Sequence, residues 1–325
     1  MEELNETQRY FIEEHIEDHR EGLISRRELF RRVTLIAGSA ALASTILAAC
    51  DLSPKPAATS PTPTAGASAS ASLAAQPFAT PPATTTTDGI TVKESDPRIT
   101  VSKPEVKGAD GADLQAYMAK PNGGGRVPGV VVIHENRGQT EHIRDVVRRV
   151  ATAGFVGLNI DLAARDGGAA RLTDQAAYNA ALAKRSVADK NSDHKAAVEF
   201  LKAQTSGAVG VVGFCFGGGE TWNVVIAALD VKAAVPFYGP KPTTNFEDLA
   251  KAKAAVSAVY AEQDTAITGS APQMEEQLKK AGVPYKITTY PGVGHAFHND
   301  TGTRYNPQQA QLAWVATIEW FRRYL

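Results

Sequence analysis

Beyond about residue 89 the chain alternates between two kinds of segment, and that alternation limits its possible folds more than any other feature. Short apolar runs rich in β-branched residues occur at 129–133, 209–213, 233–237 and 255–260, with a further strand-like segment at 285–290. Their length and hydrophobicity suit strands buried on both faces of a sheet. Between them, 143–153, 194–203, 221–229, 273–281 and 308–324 carry apolar residues at helical period. Strand and helix in alternation predict an α/β fold with a mostly parallel central sheet and helices on both faces. In an open sheet of this kind ligands bind beyond the carboxyl ends of the strands, so chemistry should be sought just after each run.

One such strand end carries Gly213-Phe214-Cys215-Phe216-Gly217, with a helix expected from about Glu220. A cysteine at the centre of G-x-C-x-G fits a tight strand-to-helix turn, which has no room for side chains two residues either side of the nucleophile. Sulfur at a helix N-terminus would also be favoured as thiolate. An inert buried cysteine beside packing glycines is the competing reading, and its partners separate the two. Asp264 follows the 255–260 run, and His295 follows the 285–290 segment in a glycine-containing loop. The order nucleophile, acid, histidine is that of the α/β-hydrolase fold. In that arrangement His295 would exchange the proton with thiol and leaving group, while Asp264 would fix its tautomer.

From about residue 96 the chain resembles the dienelactone hydrolase (carboxymethylenebutenolidase) family. The resemblance is carried by His134-Glu135-Asn136-Arg137-Gly138, Asp161-Leu162-Ala163-Ala164-Arg165, the 213–218 elbow, Asp264 and Gly294-His295-Ala296-Phe297. It implies a lactone or small-ester hydrolase in which Glu135 helps deprotonate Cys215. It also implies an oxyanion hole from the backbone N–H groups of Phe216 and Asn136, a carboxylate-binding Arg165, and a pocket tyrosine at Tyr238. One departure stands out: where the family carries a second arginine four residues after the histidine, this chain has Asn299, with Arg304 or His298 as possible substitutes. The alternative from another class is a surface protein that keeps the hydrolase scaffold only to bind a ligand or partner.

Ahead of the domain, Ser25-Arg26-Arg27-Glu28-Leu29-Phe30 looks like a twin-arginine export signal. The apolar run at 33–49 is short and diluted for a membrane span but suits a signal peptide's hydrophobic region. It ends in Leu47-Ala48-Ala49-Cys50, which resembles a lipobox, so Cys50 is expected to be a lipidation site and the chain an extracytoplasmic, membrane-anchored lipoprotein. On this pattern the chain divides into a signal segment at 1–50, a Pro/Ala/Ser/Thr tether at 51–88 and the hydrolase domain at 89–325. The acidic stretch at 1–24 has no role in it beyond a helix that is removed with the signal.

Other functions fare worse. With 34 basic and 35 acidic residues the chain has no long-range field to favour nucleic acid. Two cysteines cannot make a multi-bridge scaffold. His134, Glu135 and His142 lack the helical H-E-x-x-H spacing, and the glycine runs lack a phosphate-binding pattern, so neither metal nor cofactor is expected. The expected partner is a small lactone or ester; oligomeric state is not legible.

Overall fold

The computed structural model describes residues 4–50, 52–53, 91–123 and 125–325. The tether expected at 51–88 therefore lies almost wholly outside the described residues. The N-terminal part is a group of three helices: α1 (Glu6–Arg20), α2 (Arg26–Ala37) and α3 (Ala40–Ala48). Asn5 and Gln8 form a reciprocal capping box at the start of α1, and Gly38, left-handed at φ 76°, separates α2 from α3. No helix among the described residues is long and apolar enough to cross a membrane.

The remainder is built on one eight-stranded sheet. Its strands are β1 (Ile99–Ser102), β2 (Tyr117–Pro121), β3 (Gly129–Ile133), β4 (Val156–Asn159), β5 (Val209–Phe214), β6 (Ala233–Phe237), β7 (Ala255–Ala261) and β8 (Tyr285–Tyr290). They lie in the order β1-β2-β4-β3-β5-β6-β7-β8, antiparallel across β1, β2 and β4 and parallel from β4 to β8. The connecting helices are α4 (Glu141–Thr152), α5 (Gly168–Arg171), α6 (Gln175–Ala183), α7 (Val187–Gln204), α8 (Phe216–Ile226), α9 (Thr265–Thr268), α10 (Ala271–Ala281) and α11 (Pro307–Tyr324). Strands β3, β5, β6 and β7 are buried along their whole length, as expected of strands covered on both faces.

This is an α/β-hydrolase fold, and its central strands stand at the expected positions. The helix after Cys215 does not: α8 begins at Phe216, so Gly217, Gly218 and Gly219 form its first turn, rather than a loop leading to Glu220. The reason is steric. An added Cβ at Gly217 would lie 2.5 Å from the carbonyl oxygens of both Ile133 and His134, and one at Gly218 would lie 2.4 Å from that of Phe237. Only glycines let α8 start this close to β3 and β6.

Candidate active site

Cys215 sits at the junction of β5 and α8 with φ 58° and ψ −122°, a conformation L-residues seldom adopt. Its N–H is tied to the Phe237 carbonyl on β6, at 3.1 Å, and its own carbonyl accepts from Gly218, at 2.8 Å. Gly213 completes the turn, since a Cβ there would be 2.0 Å from the Gly217 carbonyl oxygen. The non-glycine residues with positive φ include Tyr238 and Ala296 as well as Cys215. These follow β6 and His295 respectively, so three of the six such residues among the described ones lie around the elbow, as at many functional sites.

Asp264 follows β7 at the start of α9, and its Oδ2 accepts a 2.7 Å hydrogen bond from His295 Nδ1. The other imidazole nitrogen, Nε2, shares a space with Cys215 Sγ and a Glu14 carboxylate oxygen, all within 4.8 Å of one another. The fold thus brings together three stretches of the domain that the sequence reading singled out. Burial alone would lower the His295 pKa, but the charges of Glu14 and Asp264 outweigh it and hold the imidazole well above its ordinary 6.5. Burial raises the Cys215 thiol, against the opposing pull of the His295 cation. Both shifts favour a protonated imidazole beside a neutral thiol while Glu14 faces His295.

Glu135 follows β3 and is buried; its Oε2 accepts from Asn299 Nδ2 at 2.6 Å. Asn299 is therefore a direct partner of Glu135, a contact the sequence reading missed. His134 is a structural neighbour of the site. Its Nε2 accepts from the Leu162 N–H at 3.1 Å, so Nδ1 donates to the Glu135 carbonyl at 2.7 Å, and burial lowers its pKa. Phe216 is the first residue of α8, and its N–H is one of those that helix geometry leaves without an intrahelical partner. Asn136 lies in the turn closed by Gly138 N–H donating to the Glu135 carbonyl at 3.2 Å. Tyr238 is fully buried, with its ring centroid 5.1 Å from that of His295.

Three expectations need correction. Arg165 is not offered to a ligand carboxylate: its guanidinium is held by Asp110 and Asp193, each at 2.7 Å. Arg304 reaches neither Cys215 nor Glu135 but pairs with Asp18 and Glu21 of the N-terminal segment. His298, the other possible substitute for the missing arginine, is buried among Phe214, Phe237 and Trp314. Burial pushes its pKa well below 6.5, which suits a neutral core ring rather than an anion ligand.

The larger omission is α1. Tyr10 places its hydroxyl 3.1 Å from Cys215 Sγ, and Glu14 brings a carboxylate oxygen 3.8 Å from His295 Nε2. Phe11, fully buried, packs on Phe216 with ring centroids 5.3 Å apart. A sequence signal existed: Thr7, Phe11, Glu14 and Asp18 recur at helical spacing, but their mixed polarity gave no reason to expect a docking face.

A model of the dienelactone hydrolase family matches residues 114–325. The chain belongs to the dienelactone hydrolase family. A Methylorubrum extorquens protein named "Putative carboxymethylenebutenolidase" is 35% identical over 224 residues, spanning 65% of this chain and 77% of its own. An Escherichia coli protein of the same name is 30% identical over 230 residues, with 66% and 84% coverage. Among solved structures, a "Putative Dienelactone Hydrolase" from Klebsiella pneumoniae superposes with a TM-score of 0.64 at 27% identity, covering 70% of this chain and 99% of that one. As a member of this family, the chain is a hydrolase of the lactone and ester class.

Proposed function

We propose that the chain hydrolyses a lactone or small ester through Cys215, with His295 as proton carrier and Asp264 as the group that orients it. The observation that carries this reading is the strained cysteine at the strand–helix junction, its sulfur sharing a 4.8 Å space with an imidazole whose far nitrogen is bonded to a carboxylate. In the first half-reaction the thiol proton passes to neutral His295, directly or relayed through Glu135 when substrate displaces its present partner, and sulfur attacks the carbonyl carbon. The N–H groups of Phe216 and Asn136 are suited to hold the developing oxyanion. The C–O bond breaks, the leaving oxygen takes the proton from His295, and a thioester remains on Cys215. In the second, His295 draws a proton from water, hydroxide attacks the thioester, and the acid departs as the thiol is restored.

The commitment of Arg165 to Asp110 and Asp193, and the replacement of a second arginine by Asn299, favour neutral substrates over those bearing a free carboxylate. Export by the twin-arginine-like segment and lipidation at Cys50 are part of the same proposal and rest on the sequence pattern alone. The catalytic reading is tested with Cys215→Ala and 4-nitrophenyl acetate. Loss of the parent chain's hydrolysis is expected, and an unchanged, measurable rate rejects the mechanism. For the anchor, Cys50→Ser should move the protein from the membrane pellet to the soluble fraction; persistence in the pellet rejects lipidation at that residue.

A further inference from the structure

Helix α1 occupies the space directly over the proposed nucleophile. Its docking face runs its whole length. Glu6 accepts from Thr243 N–H at 2.7 Å and from the Thr244 hydroxyl at 2.9 Å, and Thr7 accepts from buried Lys190 Nζ at 2.8 Å. One turn on, Tyr10 meets the sulfur and Phe11 covers Phe216, the residue whose N–H is proposed for the oxyanion hole. A turn further Glu14 faces His295, while His15, fully buried, bonds to Asn179 at 3.1 Å. At the far end Asp18 and Glu21 neutralise Arg304. The small cavity beside Tyr10 is lined by α1 on one side and by Lys190, Phe216, Glu220 and Pro240 on the other.

These contacts stand where an acyl group and its carbonyl oxygen would have to go. We propose that residues 4–48 are an intramolecular inhibitor: α1 fills the cleft over Cys215, and the full chain is a latent form that becomes competent when this segment leaves. The inference rests on Cys215 being the nucleophile. Two features support it beyond steric occupation. The Glu14 carboxylate helps keep His295 protonated, and an imidazolium cannot take the proton from the thiol. The three helices are also tied to one another, with Gln8 Nε2 donating to the Ile36 carbonyl at 2.8 Å and α3 ending at Ala48, and α2 docks on the domain through Arg31, which donates to Asp174 at 2.8 Å. Hydrolysis of the 49–50 peptide bond by a peptidase would cut the covalent link of all three to the domain, so that their departure, and with it activation, would follow removal of the leader.

The test uses the full chain with Cys50→Ser, which leaves Cys215 as its one thiol. Phe11→Asp places a charge in the buried contact and should unseat α1, while Arg304→Glu should repel Asp18 and Glu21. Both should raise the iodoacetamide alkylation rate of Cys215 and the hydrolysis of 4-nitrophenyl acetate by roughly tenfold or more, because the rate follows the open fraction. A synthetic peptide of residues 4–24 should return the Phe11→Asp chain toward the slow rate. Adding Asp18→Arg and Glu21→Arg to Arg304→Glu should do the same by swapped pairing. Equal alkylation rates in all of these chains would overturn the inhibitor. So would a fall in hydrolysis on unseating α1, since the helix would then be serving catalysis. If unseating speeds hydrolysis but Cys215→Ala in the unseated chain hydrolyses just as fast, the nucleophile assignment fails while occlusion of the cleft by α1 stands.

Discussion

Asp300 should anchor the loop that carries His295, and its contribution should vanish in acid. The carboxylate is 3% exposed; it accepts from His142 Nδ1 at 2.7 Å and is paired with Arg149 on α4. Burial alone would raise its pKa, but the His142 hydrogen bond and the Arg149 charge reverse that and hold it at about 2, against an ordinary 3.8. A depressed carboxyl contributes stability that is complete above the unfolded value and is lost as pH falls through the folded one. The gap between about 2 and 3.8 corresponds to about 2.4 kcal/mol at neutral pH. On the same relation roughly half of that remains at pH 3. Asp300→Asn keeps the shape and removes the charge, so its destabilisation should be about 2 kcal/mol at pH 7, or roughly 4–8 °C in melting temperature for a domain of this size. The assay is urea unfolding of both chains from pH 7 to pH 3. A difference that stays constant with pH, or is below about 0.5 kcal/mol at pH 7, would refute the ion pair as the anchor.

Three further outcomes follow from the site. Asp264→Asn should lower kcat by about 10²–10⁴ with little change in KM, because the His295 tautomer and orientation are no longer fixed; steady-state kinetics decide, and an unchanged kcat removes Asp264 from the mechanism. Gly213→Ala should cost upwards of about 1–3 kcal/mol, since the new Cβ meets backbone at 2.0 Å that no rotamer can relieve. A shift of the elbow by about 1 Å would also cost on the order of 10²-fold in rate, and wild-type melting and kcat together would contradict the tight-turn account. Glu220→Gln should destabilise by about 3–5 kcal/mol, measured by denaturant unfolding, because it removes the only counter-charge among the described residues within salt-bridge reach of Lys190. The Lys190 ammonium is 2.8 Å from Glu220 and 1% exposed, and it would keep only neutral partners such as the Thr7 hydroxyl. Loss of less than about 1 kcal/mol would mean that the pair is not the buried cation's main support.

The parts of the fold that were legible are those in which local chemistry decides the outcome. Strands β3, β5, β6 and β7 are apolar throughout because both faces are covered, and a uniform run announces that directly. The elbow was legible because its glycines answer a steric demand that is the same wherever such a turn occurs. Strands β2 and β4 were not anticipated. Tyr117–Pro121 mixes a lysine and a proline into the outer part of the sheet, and Val156–Asn159 contains Gly157, needed because a Cβ there would lie 2.6 Å from the Val147 carbonyl oxygen. The fate of Arg165 depends on Asp110 and Asp193, which are distant in sequence and belong to no motif. Docking of α1 escaped for the same reason: Tyr10 and Cys215 meet across a separation of 205 residues. The acidic residues of 1–24 had no legible role because their partners, His295 and Arg304, lie at the other end of the chain.

The central claim is that acyl transfer passes through one sulfur. Rapid acid quench of the enzyme during turnover of 4-nitrophenyl acetate, followed by peptide mass mapping, tests it most directly. The account predicts an acetyl group on the peptide containing Cys215, removable by neutral hydroxylamine as a thioester is. An acetyl group on another residue, or steady release of nitrophenol with Cys215 never modified, would contradict it.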